Sequence, residues 1–190
     1  MISPGALHPM HTTDKCQSDP ASENRADLKG REAVEKIREF AENTGACFFC
    51  TASRDGLSGG ARPMAVQQVD DLGNLWFLSA DDSHKNEELL ADPSVRLFFQ
   101  GEGRAEFLVL TGRASVSKDR EKIVELWKPI FKNWFPGGMS DPSITVIKVT
   151  PDEGHYWDTQ HGNLVAGIKL LAGTLLGRPM DDSVHGALQV

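Results

Sequence analysis

The chain has 190 residues, of which 39% are hydrophobic and 25% charged, and its formal net charge is −7. That size and balance suit one globular domain with a real hydrophobic core. The acidity argues against a nucleic-acid binder, no apolar run is long enough to span a bilayer, and the start lacks the basic-then-apolar pattern of a secretory signal, so the expected compartment is the cytoplasm.

Residues 1–27 are rich in Ser, Pro, Asp, His and Gly and read as a flexible arm. A helix is predicted from Leu28 to Asn43, with Val34, Ile37, Phe40 and Ala41 as its buried stripe and Gly45 as its stop. Strands follow at Ala46–Ser53 and Ala61–Val69, joined by the turn Arg54–Gly60. Asp70–Asn74 is a hairpin connection to a strand at Leu75–Ser79. A second helix runs from Ser83 to Ala91 and is stopped by Pro93. Strands at Val95–Gln100 and Ala105–Val116 flank a turn at Gly101–Arg104. A long helix from Ser117 or Asp119 carries Ile123, Leu126, Trp127, Ile130, Phe131 and Trp134, with Pro129 set to kink it. Strands at Ile144–Val149 and His155–Asp158, a final helix at Leu164–Leu176 and a tail over 177–190 complete the chain. Many short antiparallel strands with few helices predict a mainly β, α+β fold, a small barrel with helical covers over residues 28–176.

The cysteines are Cys16, Cys47 and Cys50. Cys47 and Cys50 match C-x-x-C in letters, but they lie in an apolar strand, where positions three apart face opposite sides of the sheet. Packing is the better reading, and no metal site is expected. Large aromatics dominate cores and interfaces alike, so Trp127, Phe131, Trp134 and Phe135 are assigned to one of those settings. His155 and His161 show no ligand spacing.

The most informative stretch is Leu75 to Leu89. An apolar strand runs through a short polar turn into a helix that opens with Ser83, His84 and Lys85. Free amides and the positive end of the dipole make a helix start receptive to anions. Against this, Asp81 and Asp82 would repel an anion unless they point away, and the same residues also describe a capped, solvated helix start. Arg62, beside Pro63 and Met64, is expected on an edge or bulge of the strand pairing with Leu75–Ser79. From there it would reach the helix start, or form a surface ion pair with Asp81 or Asp82.

Read in order, Arg62-Pro63-Met64, Phe77-Leu78-Ser79, Ser83-His84-Lys85 with Glu88-Leu89, Asp92-Pro93-Ser94-Val95, Leu126-Trp127, Trp134-Phe135-Pro136, Asp141-Pro142 and Tyr156-Trp157-Asp158 resemble the flavin-binding split-barrel family typified by pyridoxamine phosphate oxidase. Within it they are most similar to the general stress protein branch. The resemblance implies an antiparallel split β-barrel with flanking helices, binding FMN between the two subunits of a homodimer. It places the phosphate on Arg62, Ser83 and Lys85, assisted by Ser79 and His84. Backbone around Met64-Ala65 and Phe77-Leu78, with Pro63 beside it, would line the flavin ring, and Gln100 and Trp157 would contact it from the neighbouring subunit. The oxidase usually carries Arg where this chain has His84, so that cation becomes conditional on pH. The resemblance leaves two functions open: an FMN-dependent oxidoreductase acting on a small molecule with a small-molecule electron donor, or a non-catalytic flavin-binding redox sensor or buffer. The oxidase reaction itself is less favoured, because its Arg- and Trp-rich substrate segment has no counterpart after Leu164. No catalytic residue is assigned.

Overall fold

The computed structural model describes residues 24–52, 60–101, 106–159 and 183–190. Residues 1–23 of the expected arm, the turn over 53–59, Cys16, most of the Gly101–Arg104 turn and the expected helix Leu164–Leu176 lie outside the described residues.

The fold is α+β and mostly β. In chain order the elements are β1 (Leu28–Lys29), α1 (Arg31–Thr44), β2 (Ala46–Thr51), β3 (Ala61–Ala65), β4 (Gln68–Val69), β5 (Leu75–Ala80), α2 (His84–Ala91), β6 (Ser94–Gln100), β7 (Phe107–Ser117), α3 (Arg120–Leu126), β8 (Ile144–Thr159) and β9 (Ser183–Gln189). Short 3-10 turns at Pro129–Asn133 and Gly138–Ser140 link α3 to β8. The sheet runs β1-β9-β8-β7-β6-β2-β3, and β5 joins at β8 with β4 on its other side. β1 is parallel to β9 and the other ladders are antiparallel, so the sheet is mixed. Among the described residues it is not closed into a barrel. No helix among them is long and apolar enough to cross a membrane.

Several elements follow directly from local chemistry. In α1, Ala33, Val34, Ile37, Phe40 and Ala41 recur at helical spacing and are all buried, and Gly45 ends the helix in a left-handed conformation at φ 65°. The loop before β5 is organised by one carboxylate. Asp70 accepts hydrogen bonds from the amides of Leu72 (3.0 Å) and Asn74 (2.9 Å), from the Asn74 side chain and from the Trp76 indole N–H (3.0 Å).

Two apolar clusters share β5. Leu75 and Phe77 point into the main core, where Phe77 meets Phe49 of β2 edge-to-face at 5.3 Å. Trp76, Leu78 and Ala80 point the other way, onto Ile123, Leu126, Phe135, Ile144 and Val146. A strand buried on both faces explains why Leu75–Ala80 reads as a continuous apolar run rather than an alternation. The aromatic cluster is divided: Phe135 is buried, Trp127 and Phe131 pack partly against it, and Trp134 is exposed.

The fold departs from the sequence reading in five places. Residues 61–69 split into β3 and β4, and β3 pairs with β2, so the strand carrying Arg62-Pro63-Met64 does not pair with β5; only β4 does. Pro63 lies on an end strand of the sheet order, which tolerates its missing N–H. Leu28 and Lys29 form a short strand, and the first helix begins only at Arg31. The long helix breaks before Pro129, leaving α3 and a 3-10 turn. Ile144–Thr159 is one strand, bent where the ladder slips between Thr111 and Gly112, and this bend lets β8 exchange β5 for β9 as a partner. Gly112 is required there, because a Cβ would sit 2.3 Å from the Thr150 carbonyl oxygen. Finally, Ser183–Gln189, within the expected tail, is a strand of the sheet.

The Asp70 hydrogen bonds outweigh the cost of its burial and hold its carboxyl below the ordinary value of 3.8. Its contribution is therefore present above that value and fades as pH falls through the lowered folded pKa. Replacing Asp70 by Ala should cost about 2–3 kcal/mol at pH 7, measured by urea denaturation, with a smaller difference in acid.

Candidate functional site

The site lies at the start of α2, and Arg62 of β3 reaches the same helix one turn along, at Glu88. Its placement depends on Asn86, whose buried amide donates to the Ala80 carbonyl (3.0 Å) and the Thr145 hydroxyl (2.9 Å) and accepts from the Ser79 hydroxyl (3.1 Å). Thr145 in turn donates to the Ser79 carbonyl at 2.9 Å. A buried polar network is stable only if its members are satisfied. Here that condition locks the first turn of α2 onto β5 and β8.

Ser83 is the N-cap residue, yet its side chain does not cap the helix. Its hydroxyl lies 3.0 Å from that of Ser79. The Ser83 carbonyl accepts from the amides of Asn86 and Glu87, while the first amides of any helix lack a partner one turn back. Asp81 is drawn away by Lys118 at 2.7 Å. The objection that two aspartates would repel an anion thus falls for one of them, and Asp82 is exposed.

Lys85, in the first turn of α2, lies within electrostatic reach of Arg62. Burial first, and the positive charge of Arg62 second, push the Lys85 ammonium below its ordinary 10.5, while Asp82 and Glu88 pull the other way. The Arg62 guanidinium Nη2 donates to Glu88 Oε2 at 2.7 Å and to the Thr51 hydroxyl at 3.1 Å. Thr51 donates to the same Glu88 oxygen at 2.6 Å. Arg62 therefore reaches α2, but its ion-pair partner is neither Asp81 nor Asp82. Sequence reasoning missed Thr51, Asn86 and Thr145, and named Glu88 among the residues that carry the resemblance without giving it a role in the site. Spacing held a clue to that role, since Glu88 is three residues after Lys85 and shares its helix face.

The remaining expected residues are distributed unevenly. Met64 and Phe77 have buried side chains, Pro63 and Ala65 are exposed on β3, and Leu78 is half-buried against the second cluster. His84 is solvent-exposed, with Nδ1 3.5 Å from Glu87. Gln100 and Trp157 are also exposed and stand on the outer sheet face with Phe107 between them in register, Gln100 two strands and Trp157 four strands from β3 along the sheet order.

That outer face carries exposed aromatics. Phe48, Phe98, Phe107 and Trp157 are 59%, 38%, 38% and 41% exposed. Phe48 pairs Phe98 and Phe107 pairs Trp157 across neighbouring strands, and His155 and His185 border them. Cys47 and Cys50 face opposite sides of β2; Cys47 is in the core, where burial pushes its thiol up to about 12, and Cys50 is half-buried.

The sequence profile of the family described as pyridoxamine 5'-phosphate oxidase like matches residues 32–181. The chain belongs to the pyridoxamine 5'-phosphate oxidase-like family. Protein bli-3 of Neurospora crassa is 27% identical over 144 residues, spanning 70% of this chain and 68% of that protein. Among solved structures, a general stress protein 26 candidate from Jannaschia sp. CCS1 superposes with a TM-score of 0.70 at 22% identity, covering 85% of this chain and 99% of the other. A general stress FMN/FAD binding protein from Xanthomonas citri superposes at 0.55 with 22% identity, covering 64% and 84% of the two chains. The expected family is the one found, and these two solved structures carry the general stress name.

The lowered Lys85 pKa has a consequence for stability. The folded state holds that proton less tightly than the unfolded chain, so charged Lys85 costs stability at neutral pH, and the cost fades as pH rises through the lowered value. Without added ligand, Lys85→Met should raise Tm at pH 7, with a gain that shrinks toward pH 10. A lower Tm would contradict that cost.

Proposed function

We propose that this chain is an FMN-binding protein of the general stress type, that two copies bind the cofactor at their shared interface, and that the split-barrel form of the family is its working fold. The carrying observation is that Arg62 of β3 bonds α2 at Glu88, one turn past Lys85, whose ammonium feels the Arg62 charge, with the Ser83 hydroxyl at the helix start. A guanidinium, an ammonium, the Ser83 hydroxyl and unpartnered helix amides form a donor set that fits a phosphate monoester, while the Ser79 proton is committed to Asn86. The Xanthomonas citri relative, whose description is FMN/FAD binding, supports a flavin as the group carrying that phosphate.

In this reading Arg62, Ser83 and Lys85 hold the phosphate, and Ser79 orients Ser83. The exposed His84 adds charge only when protonated. Backbone at Pro63, Met64 and Ala65 and at Phe77 and Leu78 borders the ring. The outer face bearing Phe48, Phe98, Phe107 and Trp157 is the natural dimer surface, since contiguous exposed aromatics of this kind mark interaction sites. Its Gln100 and Trp157 would approach the partner's flavin. The flavin would supply hydride chemistry when bound, and the chain would supply position and access. A small-molecule oxidoreductase is the reading that uses this chemistry. Flavin that stays oxidised under anaerobic NADH and NADPH would point instead to a redox sensor or buffer.

Purified protein should be yellow and release FMN on denaturation. Lys85→Ala should weaken FMN binding about 10- to 100-fold by loss of charge-assisted phosphate contacts, read by fluorescence titration, and an unchanged dissociation constant would remove the phosphate assignment. Phe48→Asp should convert a dimer to a monomer in analytical ultracentrifugation; a variant that remains dimeric would place the interface elsewhere.

A further inference from the structure

Glu88 is a carboxylate in the middle of a cationic site. Its Oε2 accepts from Arg62 at 2.7 Å and from Thr51 at 2.6 Å, and Arg62 also donates to Thr51 at 3.1 Å, so the three side chains close a ring between β2, β3 and α2. Arg62 and Glu88 are both only about one-fifth exposed, with side chains at 21% and 20%. Burial works against the Glu88 charge, but the hydrogen bonds from Thr51 and Arg62 and the charge of Arg62 hold its carboxyl below the ordinary range.

We propose that Glu88 is a built-in counter-ion that competes with an incoming phosphate for Arg62 and so limits how tightly the site takes a dianion. This rests on the phosphate site proposed above. An arriving phosphate oxygen would seek the guanidinium edge that Glu88 occupies, and two anions drawn to one cation repel each other. With Arg62 and Lys85 positive and Glu88 negative, the three groups together carry one net positive charge. Removing the carboxylate doubles it. Among the described residues, Asp82 acts on Lys85, and His84, which lies 3.5 Å from Glu87, acts on Glu88. Both are exposed and better screened by water. A tie that merely fastens β3 to α2 would behave differently, because losing it would loosen Arg62 and weaken anion binding.

The test uses the full chain and sulfate, a dianion at all working pH values, with the Tm shift as the readout of binding. Glu88→Gln keeps the shape of the side chain and should take sulfate roughly tenfold more tightly than the parent at pH 7, the order of one charge-assisted contact. Glu88→Asp, which withdraws the carboxylate from Arg62 at constant net charge, should move the same way and serves if the Gln variant does not fold. Equal or weaker sulfate binding in the variants overturns the proposal, as does absence of sulfate stabilisation in every form. A parallel FMN titration separates the two readings. Tighter sulfate binding by Glu88→Gln with no FMN bound by any form upholds the counter-ion and sinks the flavin, whereas FMN binding without tighter anion binding in the variants does the reverse.

Discussion

A primary amide buried among strands must find all its partners inside the protein, and Asn86 meets that demand from three sides. Its bonds to Ser79, Ala80 and Thr145 join the first turn of α2 to β5 and β8. An unsatisfied amide there would cost on the order of 1–3 kcal/mol for each lost bond, so the helix cannot slide or rotate without penalty. The positions of Ser83, Lys85 and Glu88 all follow from this anchor. Arg62 arrives from the other side, on a strand whose register with β2 is independently set by Cys47, Phe49 and Met64 in the core.

Burial first, and the charge of Arg62 second, lower the Lys85 pKa against the pull of Asp82 and Glu88. Perturbed groups of this kind concentrate at functional sites. Glu88 tempers the repulsion without cancelling it, and its bond to Thr51 keeps it oriented. On the proposed function, the exposed aromatics of the outer sheet face offer a surface to a second copy, and membership of the family points to a flavin phosphate as the anion.

How much of this was legible in the sequence depended on range. The strand-turn-helix from Leu75 to Ala91 was readable because apolar run, polar turn and cap residues are local signals, and the same is true of Gly45 and of the Asp70 loop. The partner of Arg62 was not, because choosing between Asp81, Asp82 and Glu88 requires knowing that β3 lies against β2. The β3 pairing itself was misread as continuous with β4, since nothing local marks the change of partner at Val66 and Gln67. β9 escaped notice for a similar reason: Ser183–Gln189 contains His185 and Gly186 and has weak alternation, and Gly186 is explained only by the Ala26 backbone, which a Cβ would strike. The ordered set of short motifs identified the family where no single motif could.

On the proposed function, the group held by Arg62 and Lys85 is the phosphate of a flavin. The most direct measurement is a side-by-side calorimetric titration of the unmodified protein with FMN and with riboflavin, which differ only in that phosphate. The account predicts FMN binding about 100-fold tighter or more, the order expected for two or more charge-assisted contacts. Equal affinities for the two flavins would contradict it.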